Sequence, residues 1–143
     1  MNKRVSYRDH VDPEYQRWGR KYPRFPGVVE CVRLIRTGKA RGAWADIIAF
    51  ELAANAASCL KELIETFHTD PSNDVRLYVM MALDIARVPE SVAFLAEVLQ
   101  DRNPKFTPYA ERALQGLDTP EARSAHWKAT NCKPEAAPDR SGI

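Results

Sequence analysis

Apolar residues recur three or four positions apart along most of the chain between residues 26 and 130, which is the spacing of a helical face. The segment from Asp74 to Arg87 shows this most clearly, and its apolar positions cover almost the whole circumference of the predicted helix. Such a helix has to be covered by neighbours on several sides. Pro89 begins a second helix, predicted to reach Gln100, because proline disfavours helical backbone in the preceding residue and suits a first helical turn.

The same reasoning predicts seven helices between Pro26 and Thr130, and a short eighth after Pro13. The seven run from Pro26 to about Thr37, Ala43 to Ala56, Ala57 to His68, Asp74 to Arg87, Pro89 to Gln100, Pro104 to about Leu117 and Pro120 to about Thr130. Gly116 is expected at a C-cap. No segment shows the period-two alternation of a strand, so the predicted fold class is all-α.

The helix pairs form a repeat of 31 residues. Laying Asp70 to Leu95 over Asp101 to His126 gives six identities in 26 positions, where composition alone would give about one or two. The identical pairs are Asp70 and Asp101, Tyr78 and Tyr109, Ala82 and Ala113, Leu83 and Leu114, Pro89 and Pro120, and Glu90 and Glu121. A weaker copy lies upstream. The pattern therefore predicts about three stacked helix pairs.

The best repeat resembles the HEAT-like repeat family, in the short-repeat version named for phycobiliprotein lyases. The resemblance is carried by Asp70, Asp74-Val75-Arg76, Ala82-Leu83, Val88-Pro89-Glu90-Ser91-Val92, Leu95 and Leu99-Gln100-Asp101, and it covers roughly residues 43–130. It implies a right-handed α-solenoid (superhelix) of about three HEAT-like helix pairs with an N-terminal capping segment. It also implies structural roles for Asp70 and Asp101 as helix caps, and for Arg76 as a contact to an adjacent repeat.

Length, composition and cysteine spacing predict the domain limits and the cellular compartment. A chain of 143 residues with 45% hydrophobic and 28% charged residues has the balance of one soluble domain. We divide it into a basic, aromatic N-terminal cap segment (1–25), a HEAT-like α-solenoid domain (26–130) and a flexible C-terminal tail (131–143). Cys31, Cys59 and Cys132 form no CxxC pair, which argues against a disulfide framework or a zinc site. With no signal peptide or membrane span in the sequence, we expect a cytoplasmic protein.

Motifs for catalysis are not found. His10, His68 and His126 belong to no HExxH or His-Glu pair, and the phosphate-binding and serine-nucleophile glycine motifs are missing. Cys132 with His126 and Glu121 is the nearest approach to a thiol site, but no fixed cation would lower the pKa of this thiol. We therefore expect no enzyme activity, no cofactor and no metal.

Charge is distributed unevenly, which points to binding. Residues 1–42 carry 11 Lys or Arg against 4 Asp or Glu, whereas residues 43–143 carry 10 against 15. The basic part contains aromatic residues interleaved with cations, a combination that stacks on bases and pairs with phosphates. Its candidate nucleic-acid residues are Arg17, Trp18, Arg20, Lys21, Tyr22 and Arg24. Alternatively, Trp18 and Tyr22 cover the apolar edge of the first repeat while the cations stay solvated.

The second helices of the repeats offer another surface. Glu62, Glu65, Glu97 and Arg123 are predicted to face solvent there and to form a charged set that orients a protein partner. Our leading hypothesis is a non-catalytic protein-binding scaffold that uses this ladder of helices. The alternatives are nucleic-acid binding through the basic segment and, from the family resemblance alone, lyase-like handling of a bilin chromophore. The oligomeric state stays open, with Leu114, Leu117 and Trp127 at a predicted apolar edge.

Overall fold

The computed structural model describes residues 13–131, and this part of the chain is helical with no strand. Its eight α-helices are α1 (Pro13–Lys21), α2 (Val28–Arg36), α3 (Ala43–Ala54), α4 (Ala56–Thr69), α5 (Asn73–Ala86), α6 (Val92–Asp101), α7 (Thr107–Leu117) and α8 (Pro120–Asn131). A turn of 3₁₀-helix, Pro89–Ser91, precedes α6. The all-α prediction is confirmed, including the short helix after Pro13. The predicted flexible tail lies outside the described residues apart from Asn131, which ends α8.

Helix ends follow most of the predicted signals, but α2 begins at Val28 and α7 at Thr107, and not at Pro26 and Pro104. Gly116 does not cap a helix, because α7 continues to Leu117 and Asp118 takes the left-handed conformation there, with φ 48°. A Cβ on Gly116 would lie 2.3 Å from Cζ of Arg87, so the glycine makes room for that guanidinium. In α4, Cys59 has non-helical dihedral angles and marks a kink.

The chain forms two compact units, one ending at Ala82 and the other beginning at Leu83. In the first unit α1 packs against α3, and α2 packs against α3 and α4. Its core is mainly aliphatic, but the carboxylate of Glu51 is buried within it and accepts a hydrogen bond of 2.8 Å from the hydroxyl of Tyr15. In the second unit α6 packs against α7 and α8, which also pack against each other.

The residues to which the resemblance gives structural roles lie at helix ends. Asp70 is buried between α4 and α5, where its Oδ1 accepts a hydrogen bond of 2.8 Å from the Ser72 amide. Arg76 donates from Nε to the Phe67 carbonyl at 3.1 Å and stacks over the Phe67 ring. Asp101, in contrast, is the exposed last residue of α6, and Asn103 makes the corresponding side-chain bond to the Lys105 amide. The cap prediction for Asp101 is therefore wrong.

Candidate binding surfaces

A groove of about 470 Å³ lies between α2 and the C-terminal end of α4. This α2–α4 groove has a mostly apolar lining formed by Val28, Val29, Val32, Arg33, Arg36, Thr37, Thr66, Thr69 and Asp70. The helix α2 can line it because it is apolar on two sides: Cys31 and Leu34 are buried in the core, whereas Val29 is 75% exposed. An aliphatic side chain is thus left in water at the edge of a concave surface.

The three threonines make the groove more apolar than their residue type indicates. Thr66 donates its hydroxyl to the Glu62 carbonyl at 2.8 Å, and Thr69 donates to the Glu65 carbonyl at 2.9 Å. Thr37 donates in the same way to the Arg33 carbonyl at 2.9 Å. Because each hydroxyl is bonded to its own helix, what these residues add to the groove is chiefly methyl surface.

Two ion pairs hold the arginines of the groove. Arg33 donates from Nε and Nη2 to the two oxygens of Glu30, both at 2.7 Å, and the Tyr22 hydroxyl donates to Glu30 Oε2 at 2.6 Å. The bonds from Arg33 and Tyr22 lower the pKa of Glu30 to about 2. Arg36 pairs with the buried carboxylate of Asp70. The two arginine side chains are about half exposed at the rim, where each is paired with a carboxylate.

Of the predicted partner-binding residues, two lie beside this groove. Glu62 and Glu65 are exposed on α4, one turn before the threonines whose hydroxyls bond to their carbonyls. Glu97 is exposed on α6 and Arg123 on α8, both in the second unit. Arg123 donates to a carboxylate oxygen of Asp118 at 2.7 Å and to its carbonyl at 2.9 Å, which braces the start of α8.

The basic, aromatic segment is divided between core and surface. Trp18 is fully buried, with its ring centroid 5.2 Å from that of Trp44 and 4.6 Å from that of Tyr22. Its inclusion among base-stacking residues is therefore corrected, because a ring with no exposed surface cannot stack on a base. Tyr22 is half-buried and its hydroxyl is bonded to Glu30.

The cations of that segment stay on the surface. Arg17 pairs with Glu14 at 3.1 Å, and the other three are exposed: Arg20, Lys21 and Arg24. The Lys21 ammonium lies 5.9 Å from the centroid of Trp44, a half-buried aromatic residue at the start of α3. Trp44 is not among the nucleic-acid residues predicted from the sequence. Its place directly after the basic loop Lys39-Ala40-Arg41-Gly42 was the available signal.

Cys31, His68 and His126 belong to residue types that commonly act in catalysis. Burial, together with the nearby charge of Glu51, raises the pKa of the Cys31 thiol to about 12, so this cysteine is protonated at neutral pH. His68 is exposed at the end of α4, and His126 Nε2 lies 3.6 Å from Glu111 Oε2. Among residues 13–131 no group of three or more His, Cys, Asp or Glu could hold a metal ion. His10 and Cys132 lie outside the described residues.

A second cavity lies in the second unit. It measures about 310 Å³ and is lined by Leu99, Arg102, Pro104, Thr107, Glu111, Ala129 and Thr130. Of the three residues predicted at an apolar edge, Trp127 is 60% exposed, Leu117 is half-buried and Leu114 is fully buried. Of these three residues, Trp127 alone therefore has a largely exposed side chain.

Comparison with known proteins adds no relative. No protein-family model matches the chain, and neither the curated proteins nor the solved structures contain a significant match. The HEAT-like resemblance thus depends on the residues quoted for it. Within the described range, every helix is too short or too polar to span a membrane.

Proposed function

We propose that this protein is a non-catalytic protein-binding scaffold that holds a segment of its partner in the α2–α4 groove. The observation that carries the proposal is the concave apolar surface beside Val29, whose side chain is 75% exposed. Exposed apolar surface in a concavity with a polar rim is characteristic of interaction sites. Covering it with an apolar side chain of a partner would remove both surfaces from water.

The scaffold that we propose is the right-handed α-solenoid of HEAT-like pairs. Arg87 and Asp118 are 31 residues apart and both have left-handed backbone, with φ of 51° and 48°. Their amides donate to the carbonyls of Leu83 and Leu114, which occupy equivalent repeat positions and are both fully buried. In the second unit α6 packs against α8, as consecutive second helices do in stacked arrays. These local similarities support a repeating architecture.

A peptide segment suits the groove better than a small metabolite does. Small-molecule sites orient their ligand with a few convergent polar groups. Here the Asp70 carboxylate is already bonded to Arg36 and to the Ser72 amide, and the threonine hydroxyls are bonded to their own helices. What remains is an apolar floor whose rim arginines are already ion-paired, which fits an aliphatic or aromatic anchor of a peptide.

The predicted charged residues then set orientation. Glu62 and Glu65 continue the α4 side of the groove with negative charge, whereas Arg33 and Arg36 on the α2 side are paired with Glu30 and Asp70. A partner segment that carries a cation near its anchor is therefore favoured in the direction that brings this cation to Glu62 and Glu65. Such rim charges change association rate and specificity more than affinity. Glu97 and Arg123 lie in the second unit, and their role in partner binding stays a prediction. A standard interface buries ~800 Å² on each partner.

A random peptide library displayed on phage tests the groove without knowledge of the natural partner. Immobilised wild-type protein should enrich peptides that share an apolar anchor. Val29→Glu should weaken binding of a synthetic enriched peptide by about tenfold or more, because ~1.4 kcal/mol of anchor contact is a factor of ten. Ile85→Glu is the matched control, since Ile85 is also an exposed aliphatic residue, at 44%, and does not line the groove.

Two outcomes would contradict the proposal. One is a library that yields no shared motif on the wild-type protein. The other is an enriched peptide that binds Val29→Glu and Ile85→Glu with the wild-type affinity, because this places the binding surface elsewhere. Circular dichroism of both variants should match wild type, since each replaced side chain is exposed.

A further inference from the structure

The first part of the described chain carries more positive charge than its ion pairs consume. Residues 13–42 contain eight Lys or Arg and two Asp or Glu. Glu14 pairs with Arg17, Glu30 pairs with Arg33, and Asp70 from the α4–α5 turn pairs with Arg36. The other five cations are all exposed: Arg20, Lys21, Arg24, Lys39 and Arg41. This surface therefore has a surplus of cations that attracts an anionic partner.

Four of these cations lie at the C-terminal end of α1 and in the loop between α2 and α3. That loop is ordered by its own backbone. Gly38 has left-handed φ of 75°, and the Lys39 amide donates to the Leu34 carbonyl at 3.0 Å, which closes the C-terminus of α2. The Arg41 amide then donates to the Lys39 carbonyl at 2.9 Å. The loop cations are thus attached to a defined backbone.

Trp44 connects the two groups of cations. Its amide donates to the Arg41 carbonyl at 3.0 Å, which attaches it to the loop, and its ring lies under the Lys21 ammonium at the end of α1. The fully buried Trp18 meets it nearly edge-on, at 80° between the ring planes, and so supports the indole from the core side. Trp44 itself is half-buried. An aromatic ring supported from the core, with one cation over its face and further cations on the adjoining loop, is an arrangement that can hold a base with its phosphates.

We propose that this Trp44 patch (Arg20, Lys21, Lys39, Arg41 and Trp44) binds single-stranded nucleic acid. A base stacks on the Trp44 indole in place of the flexible Lys21 ammonium, and Lys21, Arg41 and their neighbours pair with the adjacent phosphates. The patch reads no sequence, because every base has a face that stacks and phosphates are the same at every position. This activity is independent of the α2–α4 groove, so either one can fail without the other.

Fluorescence anisotropy with a labelled oligothymidylate of about 12 nucleotides tests the proposal. Wild-type protein should bind at low salt, with log affinity falling linearly against log salt. Lys21→Gln with Arg41→Gln should reduce the magnitude of that slope by about 1.4, since each phosphate contact on a single strand contributes ~0.7. Trp44→Leu should weaken binding by roughly tenfold, and Trp44→Phe should restore most of it, because stacking needs a ring.

The matched control is Lys105→Gln with Lys128→Gln, which removes the same charge from exposed positions in the second unit. It should leave affinity and salt slope close to wild type. If the two double variants lose affinity and salt slope equally, only net charge matters, and the proposed Trp44 site is wrong. The same conclusion follows if the wild-type protein does not bind at low salt.

Two further probes separate the ligand classes. An oligomer of abasic sugar phosphates should bind about tenfold more weakly than oligothymidylate, because it offers nothing to stack on Trp44. Poly-glutamate should bind more weakly still. If either probe binds as tightly as oligothymidylate, the patch is a general polyanion or acidic-protein surface and the proposal is wrong.

Discussion

Replacing Trp18 by alanine tests whether α1 is part of the core of the first unit. The side chain is fully buried and contacts Trp44 and Tyr22. Truncating a buried tryptophan to alanine costs ~3–5 kcal/mol, and an aromatic pair adds ~0.5–1.5 kcal/mol to area burial. Within residues 13–131 the buried indole N–H has no hydrogen-bond partner, and removing such a donor returns ~1–3 kcal/mol.

The net expectation for Trp18→Ala is a loss of ~3 kcal/mol of unfolding free energy. Urea unfolding followed by far-UV circular dichroism measures it, and with a slope of ~2 kcal/mol per molar the midpoint should fall by about 1.5 M. Trp18→Phe should cost less, because it keeps an aromatic ring and removes the unpartnered donor.

The control is Arg17→Ala on the same helix, which removes only an exposed ion pair with Glu14. Exposed pairs contribute ~0–1 kcal/mol, so its midpoint should move by less than about 0.5 M. If Trp18→Ala shifts the midpoint no further than Arg17→Ala does, the indole is not in the core and the burial of α1 is wrong.

Three other predictions concern single contacts. The bonds from Arg33 and Tyr22 hold the pKa of Glu30 at about 2, below its ordinary value of 4.5. This carboxylate therefore stabilises the folded state above pH 4.5, and its contribution to the free energy of unfolding is lost as the pH falls toward 2. The difference in Tm between wild type and Glu30→Gln should accordingly be largest near neutral pH and vanish near pH 2; an unchanged difference there would refute it. Gly116→Ala should stabilise the Arg87→Gly variant by ~1 kcal/mol through helix propensity. It should stabilise the wild-type protein less, because the new Cβ lies 2.3 Å from Arg87 Cζ. If urea unfolding shows equal effects in the two proteins, the guanidinium moves away at no cost and the prediction is wrong. In a variant whose single thiol is Cys31, this thiol should not react with a disulfide reagent at neutral pH until the protein is unfolded, because it is buried and its pKa is about 12. Rapid reaction of the folded protein would contradict this prediction.

The helices are the part of this protein that local sequence specifies. Prolines at positions 89 and 120, Gly38 at a left-handed C-cap and the three-to-four spacing of apolar residues each act within a few residues of the chain. All seven predicted segments and the short helix after Pro13 are present. Gly116 departs from its predicted role as a C-cap for a non-local reason, because the space beside this glycine is filled by the guanidinium of Arg87, 29 positions earlier.

The candidate surfaces depend on which helix face meets another helix, and composition does not contain this information. Trp18 and Trp44 both lie near basic residues in the sequence, yet the packing of α1 on α3 buries Trp18 completely and leaves Trp44 half-buried beside Lys21. Basic residues nearby in the sequence do not distinguish a half-buried indole such as that of Trp44 from a core indole such as that of Trp18. The candidate for base stacking therefore moves from Trp18 to Trp44 only when the tertiary contacts are known.

By itself, the sequence determined the all-α class, the approximate limits of the helices, the 31-residue period and the charge difference between the two parts of the chain. These depend on spacing, on proline and glycine and on counted charges. Tertiary structure decided that Val29 faces solvent while Leu34 on the same helix is buried. The physical reason is that α2 is apolar on two sides. Periodicity shows that a helix has an apolar face, but only the packing against α3 and α4 selects which face becomes core and which stays exposed.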